Sequence, residues 1–106
     1  MAFDPELAER VRVVLAGVEG VTEKKMFGGL TFMLGGKMCC GIVGDRLMVR
    51  VGPSASEDAL AEPFAAPMDF TRRPLGEMVY VEVEGYRADG ALSRWIARGV
   101  EFAASL

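Results

Sequence analysis

The sequence predicts an α+β domain, an antiparallel β-sheet with helices packed on one face, in the order α-β-β-β-α-(β)-β-α. Three observations lead there. Apolar residues at helical spacing open and close the chain. Between them the period changes to two. The alternating runs 30–34 and 37–43 flank Gly35-Gly36, a two-residue hairpin signal. Hairpins and short connections imply antiparallel pairing with the helices gathered on one side. The chain has 106 residues, 51% hydrophobic and 25% charged, enough for one core and one domain, 1–106.

The elements follow in order. Asp4 reads as the N-cap of the first helix and Pro5 as its first position; Leu7, Val11, Val14, Leu15 and Val18 form its apolar stripe, and Gly17 and Gly20 end it. Lys24-Lys25-Met26-Phe27-Gly28-Gly29 reads as a helix-to-sheet junction, with Met26 and Phe27 plugging it. In the hairpin, Phe32 is expected opposite Cys39, Met33 opposite Met38 and Thr31 opposite Cys40. A three-residue turn, Gly44-Asp45-Arg46, then sets Val43 opposite Leu47. That turn is chosen over a two-residue one because it gathers Leu30, Phe32, Leu34, Cys39, Val43, Leu47, Val49 and Val51 on one face. Residues 54–62 read as a short helix capped by Ser54 or Ser56. The proline-rich stretch after it leaves room for an edge strand at 68–70. Residues 78–83 form a strand, and Asp89 caps a last helix carrying Leu92, Trp95, Ile96, Gly99, Phe102, Ala103 and Leu106 on one side.

Composition excludes several function classes. Histidine is absent, so Ser-His-Asp and Cys-His nucleophile pairs cannot form within the chain, and most catalytic zinc arrangements are gone. Net charge is −3, without the basic surplus that phosphate binding wants, so direct nucleic-acid binding is not expected. The N-terminal stretch is acidic and polar rather than a secretory leader, and no apolar run reaches the ~18–20 residues of a membrane span. With only two cysteines, a reducing, cytoplasmic setting is expected. No catalytic group, cofactor site or metal site is anticipated.

Four features are candidates for function. Cys39 and Cys40, adjacent on a strand, should point to opposite faces. That denies them the shared side a redox pair needs and favours packing. Lys24 and Lys25 with Arg72 and Arg73 could form a basic patch. Trp95 belongs to the core. The sheet's second face carries Thr31, Met33, Met38, Cys40, Ile42, Met48, Arg50, Met78, Tyr80 and Glu82. It is too rich in methionine for a solvated surface, and Arg50 and Glu82 could pair on it. Met33, Met38, Met48, Arg50, Met78 and Tyr80 are therefore the expected partner-binding residues.

The stretch KKMFGGLTFMLGGKMCCGI, with DRLMVRVGP, PMDF, RRPL and VYVEV following in order, resembles the N-terminal domain of the TfoX (Sxy) family over nearly the whole chain. The resemblance implies a fold like that of secretion chaperones. It also implies the context of competence regulation, in which TfoX proteins act alongside a cyclic-AMP receptor protein at promoters. The full-length proteins carry a second, helical domain, so this chain is expected to be a stand-alone version. The expected function is a non-catalytic regulatory or accessory protein-binding module, a homodimer that meets a partner such as a transcription factor. The alternatives are a small-molecule-binding or nucleic-acid-modifying enzyme, in line with relatives labelled RNA methyltransferases, and nucleic-acid binding through basic loops. No Gly-rich loop between a strand and a helix supports the former.

Overall fold

The computed structural model describes residues 3–26, 28–70 and 73–106; the side chains at 26, 68–70 and 73–77 lie outside the description. Its elements are α1 (Pro5–Leu15), β1 (Val21–Met26), β2 (Gly29–Leu34), β3 (Lys37–Val43), β4 (Arg46–Arg50), α2 (Ser56–Leu60), β5 (Ala65–Phe70), β6 (Arg73–Val81), α3 (Val83–Tyr86) and α4 (Asp89–Ala104). One six-stranded sheet runs β1-β2-β3-β4-β6-β5, every neighbouring pair antiparallel. The helices cover one face, as the fold class requires.

Four elements depart from the sequence reading. β5 covers Ala65–Phe70 rather than 68–70 alone, and the strand expected to reach residue 83 ends at Val81, with Val83–Tyr86 forming helix α3. The supposed junction before the first hairpin is strand β1, and β6 begins at Arg73 rather than Met78. Thr22, Glu23, Lys24 and Lys25 are all exposed, so β1 shows none of the in-out alternation that marks a strand. It is a sheet edge, where lysines discourage further pairing. The early part of β6 contains Pro74 and pairs only with edge strand β5, in a setting that tolerates proline. Phe27, part of the supposed plug, lies outside the described residues.

Register also differs. Gly35 and Gly36, both at positive φ, close the β2–β3 hairpin as expected, with Leu34 opposite Lys37 and Met33 opposite Met38. The next pair is Phe32 with Cys40, not Cys39, and Thr31 then faces Gly41. Cys39 is the extra residue of a β-bulge, which shifts the parity of everything after it. The β3–β4 turn has two residues, Gly44 and Asp45, so Val43 faces Arg46 and Ile42 faces Leu47. The bulge and the shorter turn each move the alternation by one residue, and the two shifts cancel. Leu47 and Val49 therefore still face the helices, while Cys40 and Ile42 replace Val43 in the main core.

That core joins Leu7, Val11 and Leu15 of α1, Ala59 of α2 and Tyr86 of α3 to Leu92, Trp95 and Ile96 of α4. Burying each large side chain contributes roughly 1.5–3 kcal/mol. Asp4 caps α1 as read, accepting from the Glu6 and Leu7 amides. The other caps differ. The Ser56 hydroxyl donates to the Pro53 carbonyl instead of capping α2, whose N-cap is Ala55. Ala88 is the N-cap of α4, and Asp89 is its first residue, with a carboxylate that accepts from Arg10 at 3.0 Å. Arg10 also donates to the Tyr86 and Arg87 carbonyls, tying α1 to the α3–α4 junction. Arg12 clamps Glu23 with two nitrogens at 2.8 Å, and that hydrogen bonding holds the Glu23 carboxyl below its ordinary pKa. Glu62 bridges Arg94 and Arg98, joining the end of α2 to α4.

Helix α4 meets β3 at Gly99, where a Cβ would lie 2.3 Å from the Cys39 carbonyl oxygen. Gly99→Ala is therefore expected to lose about 1–3 kcal/mol, the usual cost of overpacking. Gly17→Ala, with no atom within 4 Å of the added carbon, should be near neutral. Urea unfolding compares the two, and equal midpoints would show that α4 does not seat on β3 this closely. The Tyr86 phenol donates to the Asp45 carbonyl at 2.5 Å; burial, aided by the Asp4 and Asp45 carboxylates, pushes its pKa up to about 12. The neutral phenol therefore stabilises the fold fully below pH ~10, its unfolded value, and that contribution is lost as pH rises to about 12. Tyr86→Phe should flatten the fall of the urea midpoint across that window.

Candidate interaction surface

The six expected partner-binding residues do share the face of the sheet away from the helices, but that face is not open. Met48 is 0% exposed, Met78 6% and Tyr80 7%, while Met33, Met38 and Arg50 are half-buried. Met48, Met78 and Tyr80 form a small second core, with Met38, Val43 and Ala66 packed against it. One row across the sheet explains the closure: Thr31, Gly41, Met48, Tyr80 and Ala66 stand side by side on β2, β3, β4, β6 and β5. Gly41 has no side chain, so Met48 can lie across it; a Cβ there would meet the Met48 Cε at 2.5 Å. The Arg46 guanidinium stacks 4.1 Å from the Tyr80 ring centroid. Met48, Met78 and Tyr80 thus pack against one another and against Met38, Val43 and Ala66. Helix α2 belongs to the opposite layer.

Three smaller expectations about this face are corrected. Cys40 and Ile42 leave it because of the bulge. Glu82 pairs with Arg46 at 3.8 Å rather than with Arg50. Arg50 donates to the Met38 carbonyl, and its guanidinium lies 5.3 Å from the Phe102 ring centroid.

The cysteines share a side after all. Both are free, and both are buried in the helix-facing core, Cys39 2% and Cys40 0% exposed. The bulge sets them together, contrary to simple alternation. The hydrogen bond between the two thiols lowers the Cys39 pKa and raises that of Cys40, which burial raises further. Packing remains what the geometry shows, since neither sulfur reaches solvent.

The basic residues are not gathered. Lys24 pairs with Thr31 and Lys25 with Leu30, so the two point to opposite faces of edge strand β1. Arg73 lies four strands away, roughly 19 Å along the sheet at ~4.8 Å per strand. Arg72 lies outside the described residues. Lys37 donates to the Leu106 carbonyl at 2.7 Å. Trp95 is core, 1% exposed, as read.

The apolar surface that remains accessible lies elsewhere. A groove of about 250 Å³ runs between α1 and α4, lined by Val14, Leu15 and Val18 on one side and Ser93, Ile96, Ala97, Val100 and Glu101 on the other. A second hollow continues it past Val13, 74% exposed, to Arg10 and Asp89. The sequence carried one sign of this groove: Val13 is an additional valine that widens the apolar stripe of α1 onto its wet side. At a corner of the molecule, Leu60 and Phe64 are exposed, 37% and 51%. No periodic signal marks Phe64, which stands alone between Pro63 and two alanines.

A family model, the TfoX N-terminal domain, matches residues 14–103. No curated protein and no solved structure matches the chain.

Burial makes the outer face testable. Met48→Lys places an unpaired charge in a closed site and is expected to cost at least about 3 kcal/mol of stability, whereas Lys24→Ala on the exposed edge should stay within about 0.5 kcal/mol. A Met48→Lys variant as stable as the wild type in thermal melts would mean that this face is open.

Proposed function

The chain belongs to the TfoX N-terminal domain family, and we propose that it is a non-catalytic regulatory or accessory module that works by binding proteins, beginning with a second copy of itself. The observation that carries the protein-binding reading is the α1–α4 groove, an apolar channel between two helices with Val13 standing clear beside it. Such surfaces are usual contact sites. The groove has the form self-association asks for. Its two walls carry small aliphatic residues of similar size, and its ends carry the Arg10–Asp89 ion pair and Glu101. A two-fold axis through the middle would set the Arg10 end of one copy over the Glu101 end of the other. A transcription factor or comparable regulator is the further partner that family membership suggests.

The cation arrangement gives no support to phosphate-directed binding, since Lys24, Lys25 and Arg73 form no continuous track. No described helix is long and apolar enough to cross a membrane. The two free cysteines support a cytoplasmic setting for this activity.

Light scattering at several concentrations tests the reading. The wild type should move toward the mass of a dimer as concentration rises. Val13→Asp, on an accessible helix face, should keep the fold and remain monomeric. A wild type that stays monomeric throughout, or a Val13→Asp variant that dimerises unchanged, would rule the groove out as the self-contact.

A further inference from the structure

Phe64 lies in the turn between α2 and β5 and stands apart from every other described non-glycine residue: its φ is +66°, in the left-handed region. Glycine or asparagine is the ordinary occupant of that region, and a bulky ring there is rare. The backbone around it is firmly fixed. The Phe64 carbonyl accepts from the Glu82 amide at 2.9 Å, and its Cβ lies against Gly85 of α3, 3.1 Å from where a Cβ on Gly85 would stand. The ring itself is 51% exposed, and Leu60, four residues earlier, is 37% exposed. The fold therefore holds a strained backbone in place and leaves much of the side chain outside. Packing within the monomer supplies little reason for an aromatic at this position.

The two helices that flank it carry unpaired acids. Glu57 in the first turn of α2 and Glu84 in α3 are exposed, and neither has an ion pair among the described residues; Asp58 lines a separate cleft with Arg98, Glu101 and Phe102. The nearby cations are engaged: Arg46 by Glu82 and the Tyr80 ring, Arg94 and Arg98 by Glu62. Arg87 lines a different cleft, with Asp4, Glu6 and Arg10. An aromatic knob with an aliphatic neighbour and an uncompensated acidic rim complements an apolar surface bordered by lysine or arginine.

We propose that the Leu60–Phe64 corner is a docking knob for a basic, amphipathic segment of another protein, whose apolar side receives the Phe64 ring while its cations meet Glu57 and Glu84. This goes beyond the self-association read from the α1–α4 groove, because it uses different elements and a different partner chemistry. Either contact could stand without the other.

The test is a titration of the full chain against a fluorescent amphipathic peptide of leucine and lysine, followed by anisotropy, with its leucine–glutamate counterpart as comparison. The wild type should bind the basic peptide and not the acidic one, more weakly as salt rises. Phe64→Gly and Phe64→Asn, residues that accept a positive φ, should keep the wild-type circular dichroism and lose about tenfold or more in affinity. Glu57→Lys combined with Glu84→Lys should weaken binding and blunt its salt dependence. Val13→Asp should leave peptide binding intact whatever it does to self-association, so the two contacts are read separately. A wild type that ignores the basic peptide, or Phe64 variants that bind it as the wild type does, would overturn the proposal.

Discussion

The architecture depends on a single extra residue, Cys39. A strand alternates strictly, so its hydrophobic set can face only one way for a given register. β3 meets two demands that strict alternation cannot reconcile. Beside the Gly35-Gly36 turn it must place Met38 next to Met33 on the outer face, and farther along it must send Cys40 and Ile42 under the helices. The bulge resolves the conflict by inserting one residue between the two stretches. It also brings the Cys39 carbonyl up against α4 at Gly99, where the helix carries no side chain. Sheet register and helix seating are thus fixed at the same point. The two thiols lie side by side in the core as a consequence of the fold.

The fold class was legible because it rests on signals that survive local error. The capping of α1 by Asp4, the Gly35-Gly36 turn and the apolar side of α4 each come from short-range chemistry that tertiary contacts reinforce. The register of β3 was not legible, since a bulge leaves no compositional mark beyond two small adjacent residues. The expected three-residue turn compensated for the missed bulge, so β4 was assigned its correct faces through an incorrect path. β1 was invisible for a different reason. At a sheet edge, polar residues are favoured on both sides, and the sequence pattern then matches a loop.

The outer face shows where composition misleads. Methionine-rich, half-amphipathic strands suggested a surface awaiting a partner, and the inventory of that face was largely right. What the pattern could not convey is how flat a methionine can lie. Gly41 opens a trough across the strands, Met48 occupies it, and Arg46 roofs Tyr80, so residues expected to meet another molecule meet one another. This closure has an internal cost. The Thr31 hydroxyl is sealed beneath it with no hydrogen-bond partner among the described residues, an arrangement worth roughly 1–3 kcal/mol against the fold. The flexible thioether offsets some of that cost by filling an irregular space that a branched side chain would leave partly empty.

Closing the outer face moves the functional question to the helical layer and its margin. The sheet offers little elsewhere: β1 presents lysines along one edge, and β5 presents Pro67 along the other. The large hydrophobic side chains that stay exposed among the described residues, Val13, Leu60, Phe64 and Leu106, lie on helices, a turn and the C-terminus. The groove and the Phe64 corner differ in kind. The groove is aliphatic and bounded by charges of both signs, which suits a copy of itself turned end for end. The corner is aromatic with the unpaired acids Glu57 and Glu84 on its flanking helices, and the proposed contact there calls for a basic partner rather than a second copy of the same corner. One small acidic domain can therefore carry two non-competing contacts, because charge rather than shape decides which molecule approaches which surface.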